Sequence, residues 1–246
     1  MHQFVHINGY GLHLAATRKK EAHTLGQVFR EMLREQGFCG HLSNPRPPIR
    51  VTGNDPHTLL SWVERQHARQ TVGGRHLRKD CWVALVGVTS WPVQAAKVRS
   101  SMAEVERFKA WQKLDVAWLR RQFPHAAAFS VVLHTDENFL HHHFIVVAEH
   151  LSLTMDMHPG HRAKRLARAA GRDTAAANRA YCDAMRAWQD SYQGEVAGAL
   201  GLKRISDAPR RRRSTAAVRA AVASGEWTPG VGPVRERNAL VNGRAE

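Results

Sequence analysis

Hydrophobic residues recur along this chain with two different periods, and the switches between them outline its elements. Leu25, Val28, Phe29, Met32 and Leu33 fall three and four apart, which predicts an amphipathic helix over residues 25–37 that stops at Gly37. A second helix is predicted over residues 56–69. Phe108, Trp111, Leu114, Trp118 and Leu119 mark the apolar stripe of a long helix over residues 94–123, whose other face carries Lys109, Lys113, Arg120 and Arg121. Tyr181, Met185, Trp188, Tyr192, Val196 and Leu200 predict another over residues 174–200, with Gly201 at its C′ position. Residues 81–89 are apolar on both parities, as in a central strand covered on both faces. Residues 129–134 and 142–147 read as strands and flank the polar turn Asp136-Glu137-Asn138, which predicts a hairpin. Asn8-Gly9-Tyr10-Gly11 predicts a short hairpin within residues 5–15. Asn44-Pro45-Arg46-Pro47-Pro48 predicts an extended loop. The sum is an α+β domain with helices packed on an antiparallel sheet, spanning residues 1–205. A basic, partly flexible extension over residues 206–246 follows it.

Composition narrows the class of partner. The chain has 246 residues, 43% of them hydrophobic, so a core can be buried. No apolar run approaches the roughly 18 residues of a membrane-spanning helix, and the first residues lack the basic-then-apolar pattern of a secretory signal. Three cysteines, Cys39, Cys81 and Cys182, lie far apart without a CxxC pair, which argues against a disulfide framework or zinc finger and fits the cytoplasm. Lys plus Arg number 36 against 21 acids, a formal net charge of +15. Such an excess attracts anionic partners at long range, and the arginine fork suits phosphate, so nucleic acid is the expected partner. The run Arg210-Arg211-Arg212-Arg213 reads either as a grip on phosphates or as a solvated linker.

The segment from Val132 to Phe144 carries the chemistry. Residues two apart in a strand face the same way, so His141 and His143 project together and His142 points to the other side. His134 ends the neighbouring strand, where a hairpin brings it beside that pair. Three imidazoles then converge, with Glu137 or Asp136 available from the turn. Nitrogen ligands with a carboxylate suit a divalent ion such as Mn, Zn, Fe or Ni, and catalytic sites of this kind also accept Mg. Such an ion polarises a phosphate oxygen during attack. With 16 histidines in the chain, a His run alone is weak evidence. The strand-turn-strand setting and the acidic turn make it a site.

On these residues the sequence resembles the MobV (Mob/Pre) plasmid mobilisation relaxases, a branch of the HUH endonucleases. Their signature H-x-D-E-x-x-P-H-x-H is matched by His134, Asp136, Glu137, His141 and His143, with Leu140 in place of the proline. The resemblance implies metal ligation by His134, His141 and His143, with Glu137 as a further ligand and Asp136 as a catalytic support. It implies Mn or Mg as the working ion. Arg78-Lys79-Asp80, with Arg75 before it, resembles the family's R-K-D element, and Gly201-Leu202-Lys203-Arg204 its G-L-x-R element. Arg75, Arg78, Lys79 and the four arginines from Arg210 to Arg213 are the expected DNA contacts. The likeness covers most of residues 12–215, and only the histidine motif is highly specific.

The activity implied is covalent nicking. A protein nucleophile attacks one phosphodiester of single-stranded or hairpin origin-like DNA, keeps the 5′ phosphate and releases a 3′ hydroxyl. Protein partners in a mobile-element complex are expected with it. The chain departs from the family at one point. The segment Phe29-Arg30-Glu31-Met32-Leu33-Arg34 aligns with the F-K-H-N-E-R motif, so Arg34 matches but Glu31 stands where the family's histidine nucleophile belongs. His41, beside the Asn-Pro loop, is one substitute; Tyr10, His23 and Tyr181 are others, Tyr181 sitting on an apolar stripe. Two readings follow: a single-strand nickase, or an HUH domain that binds and positions DNA without nicking. A third, a hydrolase of small phosphoesters, is disfavoured by the charge, by the four-arginine run and by the lack of a Gly-rich phosphate cradle.

Overall fold

Thr24 starts the first helix because its hydroxyl can accept from the backbone amide of Gln27 (3.3 Å) while the Gln27 side chain accepts from the amide of Thr24 (2.9 Å). This reciprocal cap satisfies two amides that helix geometry leaves unpaired. In a computed structural model that describes residues 1–14, 23–40, 42–205 and 224–225, the chain divides into two units, Met1–Ser206 and Asp207–Glu246. All elements below belong to the first unit. They run β1 (Phe4–Tyr10), α1 (Leu25–Met32), β2 (Ile49–Gly53), α2 (Pro56–Arg69), β3 (Thr71–Val72), β4 (Arg75–His76), β5 (Ala84–Gln94), α3 (Ala95–Ser100), α4 (Met102–Gln122), β6 (Ala126–His134), β7 (Phe139–Ala148), α5 (Thr154–Met157), α6 (Pro159–Ala169) and α7 (Thr174–Tyr192).

Five strands form one sheet in the order β1-β5-β7-β6-β2, every pairing antiparallel. Side chains alternate across it and build a core on each face. Leu85, Trp91, Val131, Leu133, Phe144 and Val146 pack toward Trp111 and Trp118 of α4 and Trp188 and Tyr192 of α7. Ala84, Val86, Val132, Ile145 and Val147 pack toward Leu25, Val28, Phe29 and Met32 of α1 and Leu59 and Val63 of α2. Gly87 pairs with Phe144 on β7, and a Cβ there would lie 2.2 Å from the Phe144 ring, so only glycine lets that ring settle on the sheet.

The topology positions the site. β1 and β2 are opposite edges, so α1, which lies between them in the chain, must cross one face. Its last turn arrives at the end of β6, and the loop that follows enters β2, whose Ile49 pairs with Leu133. Both segments therefore meet the β6–β7 turn.

The structure differs from the sequence-based expectations in several elements. No hairpin forms among the described residues of segment 5–15: β1 is a single strand paired along its whole length to β5, because the sheet offers it a longer partner than its own continuation. α1 ends at Met32 rather than at Gly37, since Arg34 turns into the left-handed region (φ 61°) to reach two carboxylates. The long helix over 94–123 is two, α3 and α4, divided at Ser101, whose hydroxyl caps α4 by accepting from Glu104 N. The last helix loosens after Tyr192 into a π turn over Gln193–Ala197 and a 3₁₀ turn over Gly198–Leu200 before Gly201 (φ 69°) ends it. The hairpin β6–β7, the apolar stripes and the α+β class are as expected.

Behind β7 lies a buried polar network. Asp115 of α4, with no exposed surface, accepts from His142 Nδ1 (2.7 Å), Thr89 Oγ1 (2.9 Å) and Tyr192 OH (2.9 Å), and Tyr192 accepts from Trp111 Nε1 (2.9 Å). Every member is satisfied, so removing the shared acceptor strands several donors in a dry core. Asp115→Ala should therefore destabilise the fold by about 3 kcal/mol. Urea unfolding followed by tryptophan fluorescence checks this, and a loss below about 1 kcal/mol would contradict the network's role.

Candidate metal centre

Strand parity distributes the three consecutive histidines as expected. His142 turns to the α4 face, while His141 and His143 share the α1 face with His134, which pairs directly with His141 across the hairpin. The rings of His134, His141 and His143 lie 4.5–5.2 Å apart between centroids. One ligand atom from each falls within 4.8 Å of the others, and His134, Asp136 and Glu137 form a second such group.

Hydrogen bonds on the far side of two rings settle which nitrogen faces inward. His134 Nε2 donates to the carbonyl of Met32 (2.8 Å), and His141 Nδ1 donates to the carbonyl of Phe139 (2.9 Å). A carbonyl only accepts, so those two nitrogens carry the protons. The lone pairs of His134 Nδ1 and His141 Nε2 are then left facing each other at 3.1 Å. Burial and the neighbouring His141 push His134 down to about 3, and burial holds His143 well below the ordinary imidazole value, so both of these rings are neutral. His143 Nδ1 is buried with no hydrogen-bond partner. Two opposed lone pairs and an orphaned nitrogen fit a divalent cation between them, and ring protons anchored on carbonyls are the usual support of metal-bound imidazoles.

The carboxylates sit on a buried arginine. Arg34 grips Asp136 in a two-pronged pair (Nε to Oδ2 and Nη2 to Oδ1, both 2.9 Å), and Nη2 also reaches Glu137 Oε1 at 2.8 Å. Burial opposes the charge on Asp136, but the guanidinium and the backbone amide of Arg46 (3.0 Å) outweigh it and hold the carboxyl below its usual range. Glu137 is one-third exposed and its Oε1 lies 3.6 Å from His141 Nε2, which places it as the carboxylate nearest the imidazoles. Arg34, matched to the family arginine from sequence, is thus committed to these carboxylates.

The remaining expected residues are scattered. Glu31 lies on the last turn of α1, one residue before the carbonyl that holds His134. His41 and Arg210 to Arg213 fall outside the described residues. Arg75, Arg78 and Lys79 lie near the start of β5, whereas His141 pairs with Ser90 far along it, roughly 20 Å away. Arg78 is exposed and paired to Asp80 (2.9 Å). Tyr10 pairs with Ala84 at that same distant end. Tyr181 packs against His158 and His161 on α6. What sequence reasoning missed is the supporting set: the carbonyls of Met32 and Phe139, the amide of Arg46 and the side chain of Arg99. Backbone groups leave no mark in a sequence, and Arg99 is one of many arginines.

The fold is that of a relaxase domain, and the likeness extends over nearly the whole chain. A Mn-bound structure of the MobM relaxase domain (MOBV; Mob_Pre) with 23-nucleotide pMV158 oriT DNA matches at 13% identity and a TM-score of 0.50, covering 91% of this chain and 99% of that one. A second Mn-bound MobM structure, with a 22-nucleotide oriT DNA carrying a 3′ thiophosphate, matches at 12% identity and a TM-score of 0.52, covering 90% and 99%. No protein-family model and no curated protein matches the sequence.

Two outcomes follow. His143→Ala should lower Mn affinity by more than about tenfold, the size of effect that even a lost supporting hydrogen bond produces around metal ligands; calorimetric titration with MnCl2 measures it, and unchanged affinity would place the ion elsewhere. In chelator the folded protein should lose stability as pH falls from 6.5 toward 3, because the unfolded chain takes up the proton that folded His134 refuses. Asp136, held low, pulls the same way. Unfolding near pH 7.5 and near pH 5.5 should differ by at least about 1 kcal/mol; equal stability at the two would contradict the buried neutral rings.

Proposed function

We propose that this chain is a metal-dependent HUH-type nuclease that nicks single-stranded DNA at a specific site, as a relaxase of a plasmid or other mobile element. The observation that carries it is the pair of opposed lone pairs on His134 and His141, completed by His143 and backed by carboxylates that a buried arginine holds in place. His134 Nδ1, His141 Nε2 and His143 would hold the ion, with Glu137 as a further ligand. A divalent ion bound there supplies Lewis-acid polarisation of a phosphate oxygen. The relaxase domains of the same fold are Mn-bound and DNA-bound, which supports this reading, as does the +15 charge.

The chain's own residues orient the site. Arg34 fixes Asp136 and Glu137, and the carbonyls of Met32 and Phe139 fix two imidazoles. The attacking group forms a bond to phosphorus, the bond to the 3′ oxygen breaks, and that oxygen takes a proton from solvent to leave as a hydroxyl. Glu31 lies closest in the chain to this centre of the candidates within the described residues. An attack by its carboxylate gives an acyl phosphate, which water cleaves readily. His41 is the alternative nucleophile. Arg210 to Arg213 and the basic extension over residues 206–246 are assigned to the DNA backbone. Protein partners in a mobile-element complex remain part of this proposal.

Glu31 favours a second reading, an HUH domain that binds and positions DNA without nicking it. Incubation with MnCl2 and labelled single-stranded oligonucleotides separates the two. Nicking should yield a protein–DNA adduct or a cut strand, lost in His143→Ala, and mass spectrometry of the linked peptide identifies the nucleophile. Binding without any cut strand on a selected high-affinity sequence would support the second reading and overturn the first.

A further inference from the structure

A cleft of about 330 Å3 opens beside the imidazole cluster, lined by Asn44, Arg46, Arg99, Thr135, Asp136, Glu137 and Asn138. That volume lies within the range of about 300–1,000 Å3 that receives small ligands. Its floor is the β6–β7 turn. One wall is the proline-rich loop around Arg46, tied to the floor by the Arg46 amide on Asp136 (3.0 Å). The other is α3, anchored by Ala95 N on the Asn138 carbonyl (2.8 Å), with Arg99 Nη1 reaching the Thr135 carbonyl (3.4 Å). Arg46 and Arg99 are exposed, and neither guanidinium has a carboxylate partner among the described residues. The acidic floor, by contrast, is partly balanced from below by Arg34.

Phe139 follows Asn138 of that lining directly in the chain. It is 41% exposed, so its ring is open to a ligand. Two residues before His141, it projects on the same face of β7 as the metal ligands. An exposed apolar ring next in the chain to a cleft with two guanidiniums that no carboxylate holds is a combination suited to a single-stranded nucleotide, the ring against the base and the cations on the phosphates.

We propose that this cleft is the subsite for the nucleotide flanking the scissile phosphate: Phe139 stacks on its base, Arg99 and Arg46 hold its phosphates, and the Asn44 and Asn138 amides face the base edge. The inference rests on the nuclease reading and gives that site its substrate contacts. Single-stranded DNA fits and duplex does not, because a paired base has no free face for Phe139.

The test uses the full chain with MnCl2 and a fluorescein-labelled oligothymidylate of roughly twelve nucleotides, read by anisotropy. Phe139→Ala and Phe139→Leu should each weaken binding about tenfold, and Phe139→Tyr should restore it, since leucine keeps the apolar area and loses the ring face. Arg99→Ala should reduce the slope of log affinity against log salt by about one phosphate contact. Leu166→Ala, an exposed apolar loss on α6 (50%), should change neither. Melting temperature and Mn affinity show that each variant is folded. If the wild-type chain binds the oligonucleotide but the Phe139 and Arg99 variants bind equally well, the subsite is overturned and the nuclease reading stands. If the wild-type chain does not bind it, the subsite is likewise overturned, while the nuclease reading is decided separately by the nicking assay.

Discussion

The bond between His142 Nδ1 and Asp115 (2.7 Å) decides which way β7 faces, and the metal centre depends on that choice. Three consecutive imidazoles are an ambiguous sequence: a slip of one residue would place a single histidine with His134 and send two into the tryptophan-lined core. Asp115 removes the ambiguity. It is fully buried, and His142 lies where it can both donate to that carboxylate and stack on Trp111 (4.6 Å between centroids). Register in a sheet with both faces covered is strongly specified, because a slip inverts every side chain. The polar network on one face thereby fixes the ligand set on the other.

A second charge balance operates at the turn. Arg34 adopts a left-handed backbone that costs a non-glycine residue on the order of 1 kcal/mol. It is nearly buried, and a buried guanidinium without partners would be worse. Asp136 and Glu137 resolve both problems, and the loop amide of Arg46 joins them. The result ties three distant segments, the end of α1, the loop before β2 and the β6–β7 turn, into one unit around the imidazoles. A cation among those rings would meet neutral nitrogens and carboxylates already partly balanced by Arg34, so its charge is welcome without the site being strongly anionic.

Much of this was legible in the sequence, for definite reasons. The His134–His143 hairpin could be read because strand parity and a polar turn together leave one arrangement in which three imidazoles meet. The stripes of α4 and α7 could be read because large aromatic rings at three-and-four spacing fall on one side of a helix, where only a core can cover them. β2 could not: it is a short edge strand, half exposed, and shows no clean alternation. α6 was missed although Pro159 sits in its first turn, since its apolar residues are mostly alanines and its surface is arginine-rich. The end of α1 was misplaced because a tertiary ion pair overrode a local glycine signal. The imidazole cluster was visible, but its supports, being mostly main-chain atoms, were not.

The sheet also separates chemistry from grip. The imidazoles, the carboxylates and the cleft gather at one end, while Arg75, Arg78 and Lys79 lie at the start of β5, roughly 20 Å along the strands. That span equals about six base steps of a duplex at 3.4 Å each. Under the proposed function, therefore, most of the electrostatic contact with DNA is built on segments that do not touch the reacting phosphate. On that proposal the attacking group is one side chain, distinct from the Asp115 network and from the imidazole ligands. A change at that one position would then remove nicking without touching the residues that build the fold and the imidazole cluster. Under the proposed function, a nickase and a DNA-positioning domain would accordingly differ by the identity of one nucleophile rather than by any difference in architecture.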